Sequence, residues 1–111
     1  MRRRLLAAVA VMTVSGVAAV PALAVTRTIK VGDNYFIKKT NGTVTVKKGT
    51  TVKWLWTGKH PHTVVGSGAG RFINSGKPKK TGSYTVITRK RGTFRIICTI
   101  HNGQRMTLKV T

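Results

Sequence analysis

From Val25 to Thr111 the chain is built from short runs in which apolar and polar residues alternate, and no useful stretch has helical periodicity. Thr26 to Val31 puts Ile29 and Val31 on one face, and Thr43 to Val46 does the same with Val44 and Val46. Thr51 to Thr57 aligns Val52, Trp54 and Trp56, with Lys53 on the other face. Thr93 to Cys98 aligns Phe94, Ile96 and Cys98, and a last strand runs through Leu108 and Val110. Shorter runs at Tyr35 to Lys38, His62 to Val65, Arg71 to Ile73 and Ser83 to Thr88 complete the series. Turns are expected at Gly32-Asp33-Asn34, Lys47-Lys48-Gly49 and Arg89-Lys90-Arg91-Gly92, and Asn41-Gly42 predicts a β-hairpin. Gly66 to Gly70 and Ser75 to Gly82 read as loops. The pattern predicts an all-β sandwich or barrel of about seven to nine strands.

The first 24 residues follow a different rule. Arg2, Arg3 and Arg4 precede a small, apolar run from Leu5 to Val20, and Pro21-Ala22-Leu23-Ala24 supplies a small-x-small cleavage pattern. Residues 1–24 are expected to be an export signal taking the general secretory route, cleaved after Ala24. That leaves residues 25–111 as one domain with a modest core and no transmembrane span. The expected location is periplasmic, cell-wall-associated or secreted. Cys98 is the only cysteine and cannot form an internal disulfide. In an oxidising compartment a free thiol is a liability unless it is buried or bound to a metal.

The formal net charge of the whole chain is +20, and loss of the three leader arginines leaves +17. Asp33 is the only acidic residue, so the paired carboxylates of a hydrolase are excluded. A surface so basic attracts acidic partners and anionic polymers.

The chemistry concentrates in Cys98-Thr99-Ile100-His101-Asn102-Gly103-Gln104-Arg105-Met106. A thiolate, an imidazole three residues later and a weaker donor just beyond are three of the four ligands of a mononuclear copper site. His62, in His60-Pro61-His62-Thr63-Val64-Val65, is the candidate for the second imidazole. Two imidazoles and one thiolate near a plane, with a long axial donor, suit both copper(I) and copper(II). Structural zinc sites usually contain more cysteines.

The mature chain resembles the small blue copper proteins, or cupredoxins, of the plastocyanin, amicyanin and halocyanin type. The resemblance covers residues 26 to 111. It rests on Val52-Lys53-Trp54-Leu55-Trp56-Thr57-Gly58, on Pro61-His62-Thr63-Val64 and on Cys98-Thr99-Ile100-His101. It implies a Greek-key β-sandwich, one copper ion with His62, Cys98 and His101 as equatorial ligands, and one-electron transfer without enzymatic turnover. The chain departs from the family at three places. Thr63 stands where Asn often braces the ligand loops, and one hydroxyl is expected to brace less. Ile97 stands where Tyr often precedes the cysteine, which leaves the His101 edge as the expected electron exit. The axial ligand is Met106 on plastocyanin spacing and Gln104 on the shorter amicyanin-like loop. Gln104 is preferred, because it opens a row with Met106, Leu108 and Val110 on one strand face.

Trp54 and Trp56 are expected in core or sheet-face packing, and His60 in a solvated loop. The runs Lys77-Pro78-Lys79-Lys80 and Arg89-Lys90-Arg91 are candidates for docking an acidic redox protein or an anionic envelope surface. Nucleic acid is disfavoured, since no aromatic residue lies within the basic runs to stack on bases. The leading expectation is a monomeric, exported electron carrier. A copper storage or delivery protein and a basic module for anionic polymers are the alternatives.

Overall fold

A computed structural model describes residues 25–37 and 42–111. The expected leader, residues 1–24, lies outside the described residues, as do residues 38–41.

Eight strands form among the described residues. They are β1 (Thr26–Gly32), β2 (Tyr35–Phe36), β3 (Gly42–Val46), β4 (Thr51–Trp56), β5 (Val65–Gly66), β6 (Ser83–Ile87), β7 (Gly92–Ile97) and β8 (Arg105–Val110). One sheet runs β2-β1-β4-β6 and the other β3-β8-β7-β5. The alternation read from the sequence is the alternation of the sandwich: one face of each strand enters the space between the sheets. Ile29, Val31, Val52, Trp54 and Trp56 enter from the first sheet, and Val44, Val46, Phe94, Ile96, Met106, Leu108 and Val110 from the second. Among the described residues no helix is long and apolar enough to cross a membrane.

Two parallel pairings join strands far apart in sequence, β1 with β4 and β3 with β8. In the first, Val31 lies opposite Trp56, so the chain leaves β1 and β4 at the same end of the sandwich. Ile97 lies opposite Arg105 in the β7–β8 pair and opposite Val65 in the β5–β7 pair, which brings the β7–β8 and β4–β5 connections together. The β1–β2 turn, the β4–β5 connection and the β7–β8 connection thus meet at one end.

Four local expectations are corrected. Asn41 of the expected Asn41-Gly42 turn lies outside the described residues, but the flanking strands form no hairpin: β2 pairs with β1 in one sheet, whereas β3 pairs with β8 in the other. Local turn preference yields there to the core, because Val44 and Val46 are buried on the sheet opposite β2. The run from Tyr35 is a strand only to Phe36, since Ile37 adopts a positive φ of 72°. The run from His62 becomes a strand only at Val65, although His62 makes an isolated bridge with Lys79. The piece from Arg71 to Ile73 forms no strand: Arg71 and Phe72 are a turn, following a one-turn 3-10 helix at Gly68–Gly70.

Candidate metal centre

Cys98 is the residue after β7. Its backbone N–H donates to Gln104 O at 2.9 Å, which closes the connection from Cys98 to Gln104 into a tight loop. The Gln104 N–H in turn donates to His101 O at 3.3 Å. His62 sits on the β4–β5 connection, held by reciprocal backbone hydrogen bonds with Lys79 at 2.9 and 3.0 Å. The Trp56 indole N–H donates to the His62 carbonyl at 3.0 Å. Trp56 is therefore a core residue, as expected, and also fixes the backbone of a site residue.

The two loops bring His62, Cys98 and His101 into one cluster, with one ligand atom from each within 4.8 Å of the others. Cys98 Sγ is 3.4 Å from His101 Nδ1 and 4.0 Å from His62 Nδ1. An ion held at about 2.3 Å from sulfur and about 2.0 Å from nitrogen, with ligands 120° apart, requires an S···N separation of about 3.7 Å. The observed separations bracket that value. His62 and Cys98 are buried, and His101 is half-buried beside the exposed Ile100.

Gln104 joins the cluster. Its Nε2 donates to Gly32 O at 2.9 Å and Tyr35 O at 3.0 Å. Two carbonyl acceptors fix which end of the amide carries the hydrogens, so Oε1 faces His62 Nδ1, 2.8 Å away. Met106 lies two residues further along the same strand face, in the core and opposite Ile96.

Thr63 supports the thiolate and ties the loops together. Its N–H donates to Cys98 Sγ at 3.5 Å. Its Oγ1 accepts the Thr99 N–H at 2.8 Å and shares a hydrogen bond with Thr99 Oγ1 at 2.9 Å. The bracing role is thus divided between two threonines, one on each loop.

The sequence reading passed over Asp33 as a site residue. It lies in the β1–β2 turn, and its Oδ1 is 2.8 Å from His62 Nε2. The signal available was its uniqueness as the one acid of the chain. His60 is exposed and lies outside the cluster. The run Lys77 to Lys80 flanks the site through the Lys79–His62 bridge, with Lys79 Nζ 5.5 Å from the centre of the Trp56 ring. Arg89 to Arg91 precede β7, at the opposite end of the strand that leads into Cys98.

Each His62 ring nitrogen faces an oxygen acceptor, Asp33 on one side and Gln104 on the other. Burial opposes protonation of the ring, but the hydrogen bonds to Asp33, Cys98 and Gln104 outweigh it and raise the pKa above the ordinary histidine value. Asp33 is held well below the usual carboxylate range, first by the Lys59 N–H and then by His62. Burial alone would raise the Cys98 thiol, yet the N–H groups of Thr63 and Ile100 and the two imidazoles bring it down to about 6. A thiolate, a carbonyl oxygen and two imidazole nitrogens around one point form a donor set suited to a cation, which would take the place of the proton at His62 Nδ1.

The sequence matches no protein-family profile and no curated protein sequence. Its structure is similar to several solved ones. Amicyanin from Paracoccus versutus aligns at 28% identity with a TM-score of 0.62, over 85% of this chain and 87% of that one. A mutant plastocyanin of fern aligns at 20% identity with a TM-score of 0.65, over 77% of this chain and 100% of that one. A methionine-to-glutamine variant of amicyanin, described with Cu(I), aligns at 25% identity with a TM-score of 0.65, over 78% of this chain and 82% of that one. The fold is the cupredoxin Greek-key sandwich expected from the sequence, and the His62, Cys98 and His101 cluster is like that of a blue copper site.

The lowered thiol gives a direct test on metal-free protein. Thiolate absorbance near 240 nm is expected to rise with a midpoint at about pH 6, against about 8.5 for an unperturbed cysteine. The sign follows from the shift: a depressed pKa keeps the thiolate populated above pH 6 and loses it below. A midpoint above 8 would mean that the surrounding donors do not stabilise the thiolate.

Proposed function

We propose that the domain is an extracytoplasmic type 1 copper protein that carries single electrons between redox partners and turns over no substrate. The observation that carries the reading is the convergence of His62, Cys98 and His101 at the loop end of a cupredoxin fold. His62, Cys98 and His101 would hold the ion as equatorial ligands, with Gln104 Oε1 as the axial donor. One bound copper ion supplies one-electron exchange between Cu(I) and Cu(II). The chain's own part is to keep four donors in place while the charge changes. The Thr63–Thr99 pair, the Trp56 bond to His62 O and the two carbonyls that hold Gln104 do so. Donors fixed in this way need little rearrangement between the two states. The half-buried His101, beside the exposed Ile100, is the proposed electron exit.

Export is supported by the leader pattern and by the placement of a single thiol in a buried ligand position. An acidic redox partner is supported by the +17 charge and by the basic run beside His62.

The purified domain is expected to bind one copper and turn blue when oxidised, through thiolate-to-copper charge transfer. Cys98→Ser should be colourless yet retain the β-sheet signature in circular dichroism. A colourless copper-loaded wild type would sink the assignment.

The axial position is tested by a pair of variants. A harder oxygen donor favours copper(II), so Gln104→Met should raise the reduction potential and change the electron paramagnetic resonance spectrum. Met106→Leu, a swap of similar volume in the core, should leave both nearly unchanged. The reverse pattern would assign the axial position to Met106.

Charge steering has its own signature. The Debye length falls from about 30 Å at 0.01 M salt to about 3 Å at 1 M. Stopped-flow rates with an anionic oxidant should therefore fall steeply as salt is added, and those with a cationic oxidant should rise. Equal salt responses would show that the surface charge does not steer the encounter.

A further inference from the structure

Asp33 is the only acidic residue in the chain, and its carboxylate is directed at the metal centre rather than at the basic surface. Four contacts fix it. Oδ1 accepts from the Lys59 N–H at 3.1 Å and the His60 N–H at 3.0 Å, and lies 2.8 Å from His62 Nε2. Oδ2 accepts from the Lys59 N–H at 3.0 Å. Gly58 permits the approach, because a Cβ at that position would collide with the Asp33 carboxyl.

We propose that Asp33 is a positioning residue for His62: its carboxylate holds the imidazole by Nε2, keeps Nδ1 turned into the His62, Cys98 and His101 cluster, and brings a negative charge to the ion bound there. The inference rests on the copper reading above and goes beyond it by giving the ring a charged partner on a third connection. The geometry carries it. With the ion at Nδ1, the imidazole must keep its remaining proton on Nε2. His62 is completely buried, so that N–H requires an acceptor inside the protein. A neutral backbone carbonyl would satisfy it equally well. A carboxylate also makes the imidazole a stronger donor to the metal, and its removal typically weakens metal binding 10–100-fold. The added negative charge stabilises the more highly charged ion, so Asp33 favours copper(II) and lowers the potential. Asp33 acts through His62 and does not itself touch the proposed ion.

Two variants separate charge from support. Asp33→Asn keeps an oxygen at the Oδ1 position for Lys59, His60 and His62, removes the charge, and gives up only the second acceptor that Oδ2 offers to the Lys59 N–H. Asp33→Ala removes both charge and support. The readouts are the Cu(II) and Cu(I) affinities, the reduction potential, and the nitrogen and proton shifts of the His62 ring in metal-free protein. Asp33→Asn is expected to raise the potential with the Nε2 proton still hydrogen-bonded. Asp33→Ala is expected to raise it further, weaken Cu(II) about tenfold more than Cu(I), and lose the hydrogen-bonded Nε2 signal. A tenfold change in that affinity ratio is about 59 mV for one electron. If the alanine variant does not fold, the asparagine variant decides through its potential, which a merely structural role would not move. A blue wild type whose foldable variants leave both the potential and the ring spectrum unchanged overturns this inference alone. A wild type that binds no copper overturns the copper reading and this inference with it.

Discussion

The end of the sandwich that holds the cluster is organised by one buried imidazole. His62 is fully buried, and a buried ring nitrogen without a partner costs the desolvation free energy of that group. Its two nitrogens find partners on two different connections, Asp33 in the β1–β2 turn and Gln104 at the end of the β7–β8 loop. Its carbonyl takes the Trp56 indole N–H, and its backbone pairs with Lys79. One side chain and its peptide groups thus tie three connections and one strand end together. The parallel pairing of β1 with β4 makes this possible, because it sends both chain exits to the same end.

The charge of the chain and the charge of the site are separate designs. The surface carries the many lysines and arginines, with repulsion that only salt and partners relieve. The site gathers the one carboxylate and the one thiol, which its donors hold toward the anionic form. Two negative groups close to one point are unfavourable unless a cation lies between or beside them. A proton on His62, which its partners favour, would supply part of that compensation, and a divalent ion would match the two charges in full.

Sequence reading was most accurate where a short period or a short spacing carries the information. Two-residue alternation located the inward rows Val52-Trp54-Trp56 and Phe94-Ile96-Cys98, because each strand buries one face between two sheets. The row Gln104, Met106, Leu108, Val110 was legible for the same reason, and all four are buried. The pairing partners were not legible. Asn41-Gly42 has the local preference of a hairpin, but its flanking strands answer to different sheets, which no local rule contains. The contact of Asp33 with His62 spans 29 positions and depends on the β1–β4 register. The pairing of Thr63 with Thr99 spans 36 and requires both loops to be folded. The candidate ligands stood out by residue type, whereas the residues that support them became visible only through contacts.

Gln104 shows why its place in the fold and its place in the site are hard to separate. Its amide hydrogens go to Gly32 O and Tyr35 O, the residues on either side of Asp33-Asn34. That same two-residue turn carries the carboxylate that reaches His62 Nε2. The turn therefore fixes both sides of the imidazole: one directly through Asp33, the other through the orientation it imposes on Gln104 Oε1. A thioether at position 104 could not donate to the two carbonyls, so the buried Gly32 O and the part-buried Tyr35 O would each lose that hydrogen bond. Methionine at that position would change the donor offered to a metal and also loosen the turn that holds Asp33. The glutamine belongs to the scaffold first, and its carbonyl oxygen is presented to the site as a consequence.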